Sequence, residues 1–411
     1  MPFDLTTAAA VLVFVATYGV VAFGRAPFVR IDRAGAALAG GAAMVGLGVL
    51  TPEDAFAAVD HNTIVLLLGM MIVVANLKLS GFFALVNAAI AARVRHAFTL
   101  LVAVALAAGA LSAFLVNDTV CLVMTPLVMA LVLKLKRNPV PYAIAIAIAS
   151  NVGSVATITG NPQNMIIGSL SGVPYATFAA TLAPVAAAGL ALTIVFVAVA
   201  FRREFLSNGA FAPADDEAAA ARAQVNRPLA IKTGLVAAAM VAAFFLGAQI
   251  ATAAIVAGAA LLLTRRVKPA RVWAEIDWPL LVMFAGLFVV TAGVEKALIT
   301  PDVVKAAGRL ALDDTAVLSL VTAALSNVVS NVPAVLVLEP FVKGLADPQR
   351  AWLVVAMAST LAGNFTLVGS IANLIVAERA RAFGVDVDFW TYFKVGAPLT
   401  LATIAVGVFL V

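Results

Sequence analysis

An apolar run that is interrupted in its middle constrains this chain more than any other feature. Residues 142–149 and 165–170 are largely apolar, whereas the stretch Ser150–Asn164 between them is rich in Gly, Asn, Ser and Thr and contains Pro162. Because lipid cannot hydrogen-bond exposed backbone, a membrane helix can break only where it faces protein or a water-filled cavity. We therefore predict a broken transmembrane helix whose polar groups converge at membrane depth, as in the substrate sites of many secondary transporters.

The interruption recurs 209 residues later, at Ser359–Asn373. The residues that match at this offset are Ser150/Ser359, Thr157/Thr366, Gly160/Gly369 and Asn164/Asn373. Two further groups match at offsets of 217 and 214, namely Asp60/Asp277 with Gly69/Gly286, and Ser112/Ser326 with Asn117/Asn331 and Pro126/Pro340. Offsets that drift slowly while Asn, Gly and Pro stay in register indicate an internal duplication followed by small loop deletions.

The composition places the chain in a membrane. Its 411 residues are 64% hydrophobic and 11% charged, which excludes a soluble domain and predicts an all-α polytopic protein of a cell inner membrane. One cysteine and two histidines are too few for a disulfide framework or a zinc site, so we expect no cofactor or metal, and no nucleic-acid partner. The N-terminus lacks the basic region of a signal peptide, so the first apolar run is expected to remain as a span.

The order of apolar runs predicts two inverted repeats, each with about five transmembrane helices, a re-entrant hairpin and a broken helix. We place the first repeat at 1–201, a cytoplasmic linker at 202–228 and the second repeat at 229–411. In the first repeat, the arms Phe98–Val116 and Thr119–Leu135 would form the hairpin with Asn117 and Asp118 at its tip; the alternative is two full crossings with this pair in a loop. Gly81–His96 is predicted to lie in the interface.

The distribution of positive charge supports the hairpin arrangement. With the linker in the cytoplasm, five of the 26 Lys and Arg residues fall outside, namely Lys296, Lys305, Arg309, Lys343 and Arg350. Cytoplasmic loops of membrane proteins are enriched in Lys and Arg. The bias therefore favours ten crossings, two hairpins that enter from opposite sides, and both termini outside.

Two acidic residues in apolar runs are candidates for proton coupling. Asp118 lies at the predicted hairpin tip, and Glu339 precedes Pro340 on the second hairpin. A carboxylate in the membrane is costly unless it is paired or protonated, which suits a proton carrier. The alternative for Asp118 is that it caps the second arm by accepting backbone N–H bonds. Glu339 could instead only face a polar crevice.

Amide and hydroxyl side chains near the breaks form the candidate substrate site. They offer both donors and acceptors, which suits a small polyhydroxylated solute or a partly dehydrated cation. The alternative is that they satisfy the backbone of the broken helices. Because no Arg or Lys lies among them, we expect a neutral or weakly charged substrate. The candidates are Asn117, Asn151, Thr157, Asn161, Gln163, Asn164, Asn331, Asn364, Thr366, Ser370 and Asn373, with Cys121 as either a substrate contact or a small buried side chain.

These motifs resemble the ion transporter superfamily that contains ArsB-type arsenite and antimonite permeases, plant silicon-efflux transporters and NhaD-type sodium/proton antiporters. The resemblance rests on Phe-Leu-Val-Asn-Asp-Thr at 114–119, Gly-Asn-Pro-Gln-Asn at 160–164 and the stretch 362–376. It implies a mobile transport domain that moves against a scaffold, often in a homodimer, with Asn117 and Asp118 tied to transport. Family members export neutral metalloid hydroxides in exchange for protons.

We therefore predict a proton-coupled antiporter that exports arsenite, antimonite or silicic acid, confers arsenical resistance and is not an enzyme. Protonated Asp118 would carry the return proton, and the two broken helices would hold the hydroxyls of the solute. The alternatives are a sodium/proton antiporter, or a sodium-coupled anion or dicarboxylate transporter, against which the missing cationic side chain counts. A further alternative is the membrane subunit of an ATP-driven complex. Because no phosphate-binding loop motif occurs in this chain, its ATPase would be a separate subunit.

Overall fold

The computed structural model describes residues 5–23, 30–205, 225–263, 267–298 and 310–411. Within these ranges the chain is helical, without β-strands. The first half contains α1 Leu5–Phe23, α2 Arg33–Gly46, α3 Pro52–Ala58, α4 His61–Ser80, α5 Phe82–Arg93, α6 Ala97–Phe114, α7 Asn117–Lys134, α8 Val140–Ser154, a 3₁₀ turn Ile158–Gly160, α9 Pro162–Ser171, α10 Tyr175–Ala200 and α11 Arg202–Phe205. The second half contains α12 Arg227–Phe245, α13 Ile250–Leu262, α14 Pro269–Trp273, α15 Trp278–Leu298, α16 Thr315–Val329, α17 Asn331–Val342, α18 Pro348–Ala362, α19 Ile371–Arg381 and α20 Phe389–Leu410.

Polar side chains fix where many of these helices begin. A side-chain oxygen at the N-cap accepts a hydrogen bond from a backbone N–H of the first turn, which would otherwise lack a partner. The residues that do so are Asp32, Thr51, Asp60, Asn161, Asn226, Asp314, Asp347, Ser370 and Asp388. In the described part of the chain, eight helices are long and apolar enough to cross a membrane. The broken helices and the arm α16 are shorter, as a chain with interrupted spans requires.

The duplication is visible in the packing of the two halves. Helix α2 packs against α15 of the other half, and α13 packs in the same way against α4. Gly69 lies so close to Ala254 that a Cβ would collide with its backbone, and Gly286 lies equally close to Ala37. Both pairs are related by the offset of 217 that the sequence predicts. The predicted fold class, an all-α polytopic membrane protein built from two inverted repeats, is confirmed.

Each repeat contributes a hairpin that packs against a broken helix. In the first repeat α6 and α7 pack against α8, and in the second α16 and α17 pack against α18. We call these helices, together with α9 and α19, the core unit. The tip of the first hairpin is buried at Leu115 and Val116, so the two arms do not separate into an exposed loop. Asn117 and Asp118 form the first turn of α7 instead of linking the arms, and Asn331 likewise begins α17.

Helices α1–α4 and α12–α15 form the second group, which we call the scaffold. The apolar run Ile31–Leu50 predicts a membrane span, but helix α2 begins at Arg33 and has only 14 residues. The structure also contains the short helices α3 and α14, which the apolar pattern does not indicate. Most of the predicted linker, at 206–224, and the charged residues Arg25, Arg265, Arg266, Lys305 and Arg309 lie outside the described residues. The linker boundaries and the charge-based topology therefore stay predictions.

Candidate functional site

The first break is held open by a side-chain clamp. Helix α8 ends at Ser154, and α9 begins after Asn161, whose Oδ1 accepts from the backbone N–H of Asn164 at 2.9 Å. The Nδ2 of Asn164 then donates to the carbonyl oxygens of Ser154 and Thr157, at 3.1 Å each. These bonds satisfy backbone acceptors that the break would leave unpaired in a buried place.

The second break repeats this clamp at the offset of 209. The Nδ2 of Asn373 donates to the carbonyl oxygens of Gly363 at 2.8 Å and Thr366 at 3.1 Å. Ser370, which occupies the position of Asn161, caps α19 by accepting from the backbone N–H of Ala372 at 3.2 Å. The Nδ2 atoms of Asn164 and Asn373 thus serve the backbone, as the alternative interpretation of the sequence expected for some of these residues.

Asn151 joins the two repeats. Its Nδ2 donates to Oδ1 of Asn364 at 2.9 Å and to Oδ1 of Asn373 at 3.1 Å. Its Oδ1 accepts from Nδ2 of Asn117 at 2.9 Å and from Oγ of Ser370 at 3.2 Å. All five side chains are buried. Asn151 therefore links the first hairpin and the first broken helix to the second break.

Thr360 is the counterpart of Asn151 and was missed by the sequence reasoning. Its Oγ1 accepts from Nδ2 of Asn161 at 3.2 Å and from Nε2 of Gln163 at 3.1 Å, and donates to Oδ1 of Asn164 at 3.4 Å. Residues 151 and 360 are related by the same offset of 209, so the duplication contained the signal that could have found it. Through these two side chains, each repeat bonds to the break of the other.

A cavity lies beside this network. Five of the predicted residues line it, and both hairpins and both breaks contribute. They are Asn117 and Asp118 from the first hairpin, Asn331 from the second, Gln163 from the first break and Ser370 from the second. The helices α9 and α19 begin at this cavity, so their N-terminal N–H groups contribute partial positive charge to it. The predicted convergence of hairpin tips and breaks is therefore present.

Two acceptors at this cavity lack partners. The Oδ1 atoms of Asn117 and Asn331 are buried and accept no hydrogen bond from the described part of the chain. The two residues are related by the offset of 214, so the duplication places an open acceptor on each hairpin. Asp118 is half-buried and makes no capping bond at the start of α7, which contradicts the capping alternative.

The scaffold wall of the cavity carries a charge that the sequence reasoning missed. Leu280, Met283 and Phe284 of α15 form an apolar surface, but Arg33 of α2 lines the cavity as well. The expectation that no cationic side chain lies at the site is therefore wrong. The charge pattern had instead placed Arg33 in a cytoplasmic cluster with Arg25 and Arg30, away from the site. A 14-residue helix is only about 21 Å long, shorter than the hydrocarbon core, so it can start at depth.

The remaining candidates lie away from the cavity lining. Cys121 is buried and shares a hydrogen bond with Ser150, with Sγ and Oγ 2.9 Å apart. The Oγ1 of Thr157 donates to the carbonyl of Ala113. Thr366 is half-buried in the second break, and its carbonyl accepts from Asn373. Glu339 forms an ion pair with Lys343 at 2.7 Å, so the structure does not bring it to Asp118.

Known proteins resemble this chain over most of its length. Residues 12–362 match a family model described as "CitMHS: Citrate transporter". The silicon efflux transporter LSI3 of Oryza sativa subsp. japonica is 28% identical over 94% of this chain and 93% of its own length. The inner membrane protein YbiR of Escherichia coli K12 is 29% identical over 89% of this chain and 92% of its own. The predicted inner-membrane location agrees with the name of this relative.

A solved structure shares the fold. The YdaH transporter of Alcanivorax borkumensis, described as having an unusual topology, matches with a TM-score of 0.62. The match covers 99% of this chain and 97% of that one at 15% sequence identity, so it supports the fold alone. The predicted resemblance to the ion transporter superfamily is confirmed by the family model and the relatives.

Proposed function

This chain belongs to the CitMHS citrate transporter family and is a secondary transporter of that family, and we propose that it exports a metalloid hydroxide in exchange for protons. Arsenous, antimonous and silicic acids are the substrates of this kind. The name of the rice relative, a silicon efflux transporter, supports this choice among the substrates that family members carry.

The two open acceptors carry the proposal. A buried acceptor without a partner costs about 1–3 kcal/mol, which a ligand that donates a hydrogen bond recovers. The hydroxyls of a neutral metalloid acid are such donors. They would bind the Oδ1 atoms of Asn117 and Asn331, one on each hairpin, while Ser370 and Gln163 provide further polar groups in the same cavity.

Asp118 is the group we propose for proton exchange. Its carboxyl lies next to Asn117 in the lining of the cavity, so substrate and proton would compete for one site. A carboxylate at this depth is costly when it moves without a partner, so the protonated form is the one that returns. The cavity lies between the core unit and the scaffold, and an elevator or rocking motion of the core unit would expose it to the other side.

The proposal is tested by uptake into inside-out vesicles under a pH gradient, with silicic acid, arsenite, citrate and sodium compared. We expect uptake of a metalloid acid that depends on the gradient and is lost in Asp118→Asn. Asp386→Asn is the matched control, because Asp386 is exposed and lies outside the cavity. Gradient-driven uptake that persists in Asp118→Asn contradicts the proton role. If neither metalloid acid is taken up, the proposed substrate class is wrong.

Arg33 favours a second candidate, a transporter of a carboxylate anion. A guanidinium and two helix N-termini at one cavity suit a carboxylate, and the family model is described by citrate. This candidate predicts citrate uptake by the wild type that Arg33→Gln removes. Uptake of sodium that is driven by the pH gradient and is unaffected by the metalloid acids would instead support a sodium/proton antiporter.

A further inference from the structure

Two opposite charges line the central cavity without forming an ion pair. Arg33 and Asp118 both contribute to its wall, yet the described residues include no hydrogen bond or ion pair for either side chain. Several other charges in the described chain do form ion pairs, for example Lys296 with Asp54 at 2.8 Å and Glu339 with Lys343 at 2.7 Å. A carboxylate and a guanidinium that approach each other in a cavity partly removed from water attract each other more strongly than they would in bulk water.

The two residues belong to different parts of the molecule. Arg33 begins α2, which packs against α1 and α15 of the scaffold. Asp118 lies in the first turn of α7, which packs against α6, α8 and α19 of the core unit. A contact between them would therefore cross the boundary at which the two parts must slide or rock during transport.

We propose that Arg33 and Asp118 close into an ion pair when the cavity is empty and Asp118 is charged, and that this pair holds the core unit against the scaffold. Binding of a proton to Asp118, or of substrate beside Asn117, removes the pair and releases the core unit. Arg33 is then a positioning residue that prevents the charged, empty carrier from moving. The inference rests on the proposed proton exchange at Asp118 but does not depend on the identity of the substrate.

Arg33 is the cation in the lining of the cavity within the described chain, and the other charged groups near Asp118 do not take its place. Asp277, just before α15, is a carboxylate that acts on Asp118 and repels it. Helices α6 and α8 carry no Lys, Arg, Asp or Glu. The charges of the other neighbouring helices lie far along them from the cavity ends, or are already paired; they are Arg93 of α5, Glu378, Arg379 and Arg381 of α19, and Glu339 of α17.

Thermal unfolding of the purified protein without substrate is the first test. An ion pair exists only while Asp118 is charged, so Arg33→Gln should lower the melting temperature by about 2 °C at roughly pH 8 and leave it unchanged at about pH 4.5. In an Asp118→Asn background, Arg33→Gln should have no effect at either pH. Arg30→Gln is the control, since Arg30 is exposed, near in sequence and outside the cavity lining. An equal effect of Arg33→Gln with and without Asp118 overturns the proposal.

The pH dependence of exchange is the second test. Loss of the facing cation disfavours the charged carboxylate, so Arg33→Gln should move the midpoint of exchange upward by about one pH unit or more. Arg33→Lys keeps the charge and should restore most of the wild-type profile, which also controls for misfolding. A changed KM for citrate with an unchanged pH midpoint overturns the proposal and assigns Arg33 to substrate binding. Because the melting test uses no substrate, it distinguishes failure of this pair from failure of the proposed substrate.

Discussion

The two broken helices carry the same clamp but are covered to different extents. In the first break every residue from Val155 to Met165 is buried. In the second, Phe365 to Leu367 are half-buried and Val368 is 64% exposed. The cover of the first break comes from neighbouring helices, since Thr157 donates to the carbonyl of Ala113 on α6 and Thr159 shares a hydrogen bond of 2.9 Å with the hydroxyl of Tyr175 on α10.

The difference shows that the burial of a break depends on other contacts than the clamp that holds the break in place. Val368 occupies the position of Thr159 at the offset of 209 and cannot form the hydroxyl bond that closes the first break. Asn164 and Asn373, by contrast, make the same pair of backbone bonds in both repeats. A carrier with alternating access needs two halves that can exchange open and closed conformations around a fixed site. We therefore propose that the first break is closed and the second open in this conformation.

The largest expected effect concerns the two residues that join the repeats. Asn151→Ala removes four hydrogen bonds and leaves the buried Nδ2 of Asn117 and the buried Oδ1 atoms of Asn364 and Asn373 without partners. Because each such group costs about 1–3 kcal/mol, we expect the melting temperature to fall by about 5 °C or more. Thr360→Val removes three longer bonds and should cost less.

Thermal unfolding in detergent measures this difference, with Ser319→Ala as the control, since the Ser319 hydroxyl bonds only to the preceding turn of its own helix. Equal losses for Asn151→Ala and Thr360→Val would mean that the two repeats share the load evenly, contrary to the unequal bonding seen here.

The next largest effect is expected from alanine substitutions at the glycines of the two breaks. A Cβ at Gly160 would collide with the carbonyl of Ser154 inside the closed break, whereas a Cβ at Gly369 would lie 2.9 Å from the carbonyl of Gly363 in the open one. Overpacking costs about 1–3 kcal/mol where the surroundings cannot move. We therefore expect Gly160→Ala to destabilise the protein more than Gly369→Ala. Urea or thermal unfolding of the two variants measures the order, and a reversed order would show that the second break is the more rigid.

Chemical accessibility tests the open and closed assignment directly. In a Cys121→Ser background, we expect Val368→Cys to react with a small thiol reagent at least about tenfold faster than Thr159→Cys, because reactivity follows exposure. Conditions that drive transport should raise the rate at position 159 if the two breaks exchange conformations. A rate at position 159 that stays slow under every gradient would mean that the first break never opens.

The sequence predicted the breaks but not the bonds between them. Gly, Asn and Pro inside apolar runs are local signals, and their offset of 209 was enough to pair Asn164 with Asn373. The bond from Asn151 to Asn364 joins residues 213 apart, and no local pattern indicates which amides of the two repeats meet. The hairpin tips could be located in the same way, because polar residues interrupt apolar runs there as well. The structure differs in one detail, since Asn117 and Asn331 begin the second arms instead of lying between the arms.

Arg33 shows the second limit. Hydropathy finds apolar runs, but the start of α2 depends on Asp32, whose Oδ1 accepts from the backbone N–H of Gly35 at 2.7 Å. This cap fixes the start of α2 at Arg33, which lines the cavity. A single polar residue thus decided a helix boundary that the average hydrophobicity of its surroundings could not resolve.

The smallest expected effect concerns two ion pairs, each of which joins one repeat to the other within the scaffold. Lys78, near the end of α4, pairs with Glu275 after α14, and Lys296, near the end of α15, pairs with Asp54 of α3. The first pair is 31% and 26% exposed, the second 54% and 48%. Since exposed pairs are weak, we expect Lys296→Gln to shift the melting temperature by less than about 1 °C, and Lys78→Gln by more.

The pH dependence of Lys296→Gln sharpens this comparison. The hydrogen bond and charge of Lys296 hold the pKa of Asp54 below its usual value. The stabilisation from this pair is therefore present above the unfolded carboxyl pKa of about 3.9 and disappears as the pH falls through the lower folded value. Melting curves of the wild type and Lys296→Gln should converge in acid and differ slightly at neutral pH. If they differ as much or more in acid, Lys296 stabilises the protein by a route other than its pairing with charged Asp54.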